Sequence, residues 1–157
     1  MARIGRFGQS QADPAPPGRH FSGRSLQRAQ TLWGSYVIQS PDFKLFFNGD
    51  SGYGKHHAEI GKRYGSFDFA LMENGAYNKD WAQIHMQPEQ SVQAALDVGA
   101  KAAMPIHWAK FDLSFHPWKE PIERFVPAAA AKNLPLATPK IGQVFHLDIN
   151  ALPQEKW

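Results

Sequence analysis

Leu45-Phe-Phe-Asn-Gly-Asp-Ser-Gly-Tyr-Gly-Lys-His56 (LFFNGDSGYGKH) decides how this chain is read. An apolar run suited to a buried strand stops at a carboxylate, Asp50, and passes into a glycine-rich turn and a lysine. Gly49, Gly54 and Lys55 satisfy G-x-x-x-x-G-K, the opening of a phosphate-cradling P-loop. That motif needs Ser or Thr after the lysine to ligate magnesium, and His56 stands there instead. Asp50 also follows the first glycine directly, where a carboxylate would repel phosphate oxygens. The residues tilt toward a carboxylate aimed at a cation. Capping the following helix or shaping an Asx turn would employ Asp50 equally well.

Outward from this loop the signals are regular. Thr31–Gln39 and Lys44–Asn48 read as strands joined by the turn-like Ser40-Pro41-Asp42, a hairpin. His57–Tyr64 is a short helix ended by Gly65, and Phe67–Glu73 alternates into a buried strand. Pro88–Val98 is the clearest helix, with Pro88 in its first turn and Gly99 able to terminate it. Lys101–Ile106 is a further strand. Pro121–Ala131 is a helix with Ile122, Phe125 and Val126 facing inward and Pro127 as a disturbance. Gln143–Leu147 is expected as a last strand. Strands alternating with helices predict an α/β layer arrangement.

Three of these strands end in a side chain able to bind metal or move protons: Asp50, Glu73 and His107. In α/β sheets ligands gather beyond the carboxyl ends of the strands. His20 opens the regular part of the chain, and His85 precedes the clearest helix. Each has an ordinary alternative: His107 beside Trp108 as a hydrogen-bonded, half-buried histidine, and Glu73 as the brace of a loop. His56, His57, His116 and His146 show no partner pattern and read as surface or structural.

Composition narrows the classes. A chain of 157 residues with 43% apolar content supports one compact domain with a core. No apolar segment approaches the roughly 20 residues of a membrane-spanning helix, and the first residues hold no continuous apolar stretch of a secretory signal. There is no cysteine, so any metal must sit on His and carboxylate. These features predict a soluble, cytoplasmic protein, with peripheral membrane association left open. The net charge is +3, but residues 1–30 alone carry +4 and the remainder −1, which describes a basic leader rather than a nucleic-acid recognition face. Residues 1–18, rich in Pro, Gly and Gln, are expected to be a poorly ordered leader. Residues 19–150 form the expected folded unit and 151–157 a tail.

His20-Phe-Ser-Gly-Arg24, Thr31-Leu-Trp-Gly-Ser35, Phe46-Phe-Asn-Gly-Asp-Ser-Gly-Tyr53, Glu59-Ile-Gly-Lys-Arg-Tyr-Gly65, Gly75-Ala-Tyr77, His85-Met-Gln-Pro-Glu89 and Ile106-His-Trp108 occur in that order. Together, over residues 20 to 147, they resemble the metallo-β-lactamase-fold hydrolases of the N-acylphosphatidylethanolamine-hydrolysing phospholipase D type. The resemblance implies a four-layer αβ/βα sandwich with two zinc ions at the edge between its sheets. It implies metal roles for His20, for Asp50 as the carboxylate bridging both ions, and for His107. It implies substrate positioning or proton transfer for His85. Imidazole and carboxylate suit zinc, and such a metal pair makes hydroxide available near neutral pH. The expected substrate is a small molecule or phospholipid-like ester or phosphodiester.

The departures are equally informative. The family's His-x-His-x-Asp-His motif, which supplies four ligands, is absent, and no His-x-His occurs anywhere in the chain. His20 and Asp50 remain for one ion, Asp50 and His107 for the other, short of the three protein ligands usual at catalytic zinc. Ala109-Lys110 stands where Gly-Thr is common in the family. The expectation is therefore the C-terminal half of a dinuclear zinc hydrolase, inactive alone. The alternative is a non-catalytic fragment or subunit that binds a partner supplying the missing half. A homo-oligomer is a further expected partnership.

Overall fold

The computed structural model describes residues 11–13, 16–23, 26–27 and 30–157. Its centre is a five-stranded sheet in chain order: β1 (Gln11–Asp13), β2 (Tyr36–Gln39), β3 (Lys44–Phe47), β4 (Phe69–Glu73) and β5 (Ala103–Ile106). β2 runs antiparallel to both its neighbours, β1 and β3, whereas β3, β4 and β5 run parallel. The β2–β3 hairpin closes as expected at Ser40, whose N–H donates to the Phe43 carbonyl at 2.8 Å. Parallel neighbours need a crossover, and helices supply it. Helix α1 (His56–Tyr64) links β3 to β4, α2 (Pro88–Asp97) links β4 to β5, and α3 (Glu120–Ala131) follows β5.

Strand periodicity sorts the side chains into two faces. Val37, Phe46, Ala70 and Ala103 sit side by side across β2 to β5, all essentially buried. With Met72 they form one core with Ile60 of α1, Val92 and Ala95 of α2, and Phe125 and Ala129 of α3. The opposite face carries Tyr36, Phe47, Leu71 and Met104 in the next row. At the β4–β5 end it is covered by Phe145 and Leu152, which pack on the cluster around Phe69, Ala102 and Ala137. At the β2 end Tyr36 is 53% and Ile38 45% exposed.

Several expectations are corrected. Gln143–Leu147 forms no strand; it crosses the second sheet face as a loop and lays Phe145 against Phe69, ring centroids 6.4 Å apart. Val126 does not face inward but is 42% exposed, because Ile122, Phe125 and Ala129 already define the buried stripe and the next position turns about 100° away. Pro127 lies within α3 at an exposed position without ending the helix. The Thr31–Gln39 strand is regular only from Tyr36; before it, Gly34 bridges antiparallel to Pro17. Of the leader, residues 1–10, 14 and 15 lie outside the described residues, whereas Gln11–Asp13 form β1, against the expectation of little order. The 151–157 stretch pairs back: Thr138 donates its N–H to Pro153 and accepts from Glu155.

One buried histidine carries a pH dependence. His57 on α1 is fully buried, its Nδ1 on the Gly54 carbonyl at 3.2 Å and its Nε2 on the Asn48 side chain at 3.0 Å. Burial, then the neighbouring His56, lowers its pKa from 6.5 to about 4. The unfolded chain then binds more protons between these values. The stabilising contribution is complete above pH 6.5 and is lost as pH falls toward 4, by about 3 kcal/mol. Urea unfolding at pH 7 and pH 4.5 is expected to show this loss, and NMR titration to place His57 below 6.5. Titration above 6.5 would mean a buried imidazolium held by two acceptors.

The open end of the second sheet face gives a further expectation. Apolar side chains left in water forgo roughly 1.5–3 kcal/mol of burial each, so the chain is expected to self-associate through Tyr36 and Ile38. Sedimentation should show mass above the monomer, reduced by Ile38→Lys. A monomer with no hydrophobic-dye response would show that this face is already closed.

Candidate metal centre

The site forms where the parallel strands end. Asn48 donates its N–H to the Leu71 carbonyl at 2.9 Å, and Asn74 to Ile106 at 2.9 Å. The chain beyond β3, β4 and β5 therefore leaves the sheet on one edge, carrying Asp50, Glu73 and His107. Two further segments reach this edge. Residues 16–18 run against 33–35, with Gly18 N–H on the Trp33 carbonyl and Ser35 N–H on Pro16, both 3.0 Å. Arg19 then donates its N–H to Ser51 Oγ at 2.9 Å and accepts from Gly52 N–H at 3.0 Å. These bonds hold His20 beside the Asp50 loop. The 82–87 segment, leading into α2, brings His85.

Asp50 Oδ1 stands 3.4 Å from His107 Nε2, each side chain 27% exposed. His85 lies between the other two rings, 5.4 Å from His107 in near-parallel stacking and 5.1 Å from His20 edge to face. His20 is steadied by Trp33 at 4.5 Å and by its Nδ1 on the Phe21 carbonyl at 2.9 Å. His107 has a positive φ of 62°, an uncommon conformation for a non-glycine residue of the kind that gathers at functional sites.

Glu73, one of the three strand-end candidates, has a loop brace as its ordinary alternative and no site role from the family resemblance. It is fully buried, with Oε1 2.7 Å from His85 Nδ1 and Oε2 accepting the Met86 N–H at 3.2 Å. Glu73, His85 and His107 each bring one ligand-type atom within 4.8 Å of the others. The signal available was the abrupt carboxylate at the end of an apolar strand, but its partner lies on an irregular segment 12 residues away. Next to it, the buried Asn74 amide has no hydrogen-bond partner among the described residues at either polar atom.

Burial pushes the Glu73 carboxyl well above the usual carboxylate range; the Met86 and Ser51 N–H groups oppose the shift, and the Asp50 charge adds to it. Burial lowers His85, with Asp50 pulling it up. Burial also lowers His107, against the pull of Asp50 and with the push of His85 and His20. Both imidazoles are thus favoured in the neutral form, the form that ligates a metal. The donor set of imidazole nitrogens and carboxylate oxygens fits a zinc-type cation. Beside His107 opens a cavity of about 590 Å³ lined by Trp108, Phe111, Leu113 and Trp118.

The chain superposes on the metallo hydrolase Igni18 of Ignicoccus hospitalis with a TM-score of 0.64 at 18% identity, covering 90% of this chain and 57% of that one. It superposes on the metallo-β-lactamase fold protein YhfI of Bacillus subtilis with a TM-score of 0.58 at 13% identity, covering 82% and 46%. Residues 10–108 match the family described as β-lactamase superfamily domain, and the chain belongs to that family. It is 46% identical over 130 residues to an uncharacterised Mycobacterium tuberculosis protein, covering 81% of this chain and 35% of that protein. It is 52% identical over 91 residues to the outer membrane protein RomA of Klebsiella pneumoniae, covering 58% and 69%. More distantly, it is 33% identical over 116 residues to the N-acyl-phosphatidylethanolamine-hydrolyzing phospholipase D of Saccharomyces cerevisiae, covering 70% and 25%. The chain thus spans about a third of the mycobacterial relative's length.

Gly52 tests how tightly the Asp50 loop is fitted. A Cβ there would lie 2.0 Å from the Gln83 carbonyl oxygen, a backbone atom that cannot swing aside. Gly52→Ala is expected to destabilise the fold by roughly 1–3 kcal/mol or more in urea unfolding. Gly54→Ala would meet His56 Nδ1 at 3.0 Å and the Arg19 side chain at 3.1 Å, side chains rather than backbone, and is expected to cost clearly less.

Proposed function

We propose that this chain carries part of the metal centre of a zinc-dependent hydrolase acting on phosphodiester or lipid-like ester substrates. The observation that carries this reading is the Asp50–His107 contact of 3.4 Å with His85 and His20 on the same sheet edge. His20 and Asp50 would hold one ion and Asp50 and His107 the other. When bound, the ions would supply Lewis-acid and water-activating chemistry. His85 would position substrate or move a proton beside them. The aromatic cavity next to His107 supports an acyl-bearing substrate, in keeping with the activity for which the yeast relative is named.

A second reading has its own support. The sequence contains no His-x-His, and two protein ligands per ion fall short of a closed catalytic site. Taken alone the chain would then be inactive, and it would serve as a non-catalytic fragment or subunit completed by a partner that supplies the missing ligands. No helix among the described residues is long and apolar enough to cross a membrane.

Calorimetric zinc titration of the chain is expected to show weak binding, lost in Asp50→Asn and His107→Ala, with hydrolysis of a chromogenic phosphodiester near background. Two tightly bound zinc ions per monomer, with turnover, would contradict the incomplete-site argument. No zinc response in the wild type or either variant would remove the metal reading altogether.

A further inference from the structure

The site contains a carboxylate that the proposed metal roles do not use. Glu73 ends β4 with its side chain at 0% exposure, yet it is not an idle buried charge. Its Oε1 meets His85 Nδ1 at 2.7 Å, its Oε2 takes the Met86 N–H at 3.2 Å, and its own backbone carbonyl accepts the Ser91 hydroxyl at 2.5 Å. The Ser51 N–H, next to Asp50 in the chain, also faces this carboxylate. Backbone N–H groups only donate, so these contacts require Glu73 to act as an acceptor. The Oε1 contact could run either way, from His85 Nδ1–H to a carboxylate or from a carboxyl proton to Nδ1; the Met86 and Ser51 N–H groups favour the carboxylate, and with it His85 Nδ1 as the donor.

We infer that Glu73 is the positioning residue of His85: by accepting Nδ1–H it fixes the ring and its tautomer, and leaves Nε2 as the unprotonated nitrogen beside His20 and His107. A carboxylate behind an imidazole commonly fixes orientation and basicity in this way. The same carboxylate ties the Met86 backbone that leads into α2, so the ring is held by strand and helix together. In this assignment Glu73 spends its oxygens on these donors rather than on a metal, although His107 lies close enough for one ion to reach all three groups. The use of His85 on substrate rests on the proposed hydrolase function; the Glu73–His85 unit does not.

NMR of the chain labelled with ¹⁵N-histidine at pH 7 tests this directly. The expected result is His85 neutral with the proton on Nδ1. Glu73→Gln presents an amide that donates as well as accepts, and is expected to shift the tautomer ratio by at least about tenfold and to speed exchange of the Met86 amide. Glu73→Asp, shorter by one methylene, should change both in the same direction by less. Added zinc should leave the His85 Nδ1–H signal in place. A wild-type His85 protonated on Nε2, or a tautomer unmoved in both variants, would overturn the assignment; the wild-type spectrum decides even where a variant fails to fold. Loss of the Nδ1–H signal on adding zinc would make this pair ligands instead and equally overturn it. If the hydrolase reading alone fails, zinc leaves the His20 and His107 signals unmoved while the tautomer result stands.

Discussion

Everything on the functional edge depends on the parallel register of β3, β4 and β5. Because Phe47 pairs with Leu71 and Leu71 with Met104, the three strands run out together, and the residues that follow them are delivered to one rim. Parallel strands are buried on both faces in most proteins, which explains why FALM in β4 is uninterrupted by polar residues. The first polar side chains therefore appear only at the rim, where a charge meets other loops rather than the core.

The rim is then tightened by backbone contacts that leave no room for side chains. Gly52 lies against the Gln83 carbonyl and Gly75 against the carbonyl of His107, where a Cβ would sit 2.0 and 2.2 Å away. The Asp50 loop, the segment bearing His85 and the turn after β4 thus pack as backbone on backbone. Placement by rigid neighbours, rather than by long flexible side chains, is what a site for a small cation requires.

How much of this was legible follows from range. The strand ends at Asp50, Glu73 and His107 could be read because an apolar run stops abruptly, a local signal. Helix α2 was legible from Pro88 and its periodicity, and Gly99 does take a positive φ after it. His20 could be placed only through resemblance, since it reaches the rim by the pairing of residues 16–18 with 33–35 and the Arg19–Ser51 bond, contacts invisible to periodicity. Gln143–Leu147 was misread because a segment laying Phe145 on a sheet face carries the same apolar spacing as an edge strand. Glu73 was seen but undervalued: nothing local reveals that its partners are Met86 and His85.

Two carboxylates share the rim under opposite conditions, and their environments divide the work. Asp50, 27% exposed and 3.4 Å from His107, lies at the surface side of the cluster, where an oxygen can be offered outward. Glu73, with no exposure, spends its oxygens on donors of the protein itself. Shortening the buried carboxylate to Asp would draw it away from its donors and leave His85 less well supported, since a buried carboxylate short of donors is expensive. Environment, not residue type, thus separates the group available to a ligand from the group that keeps the imidazole in place.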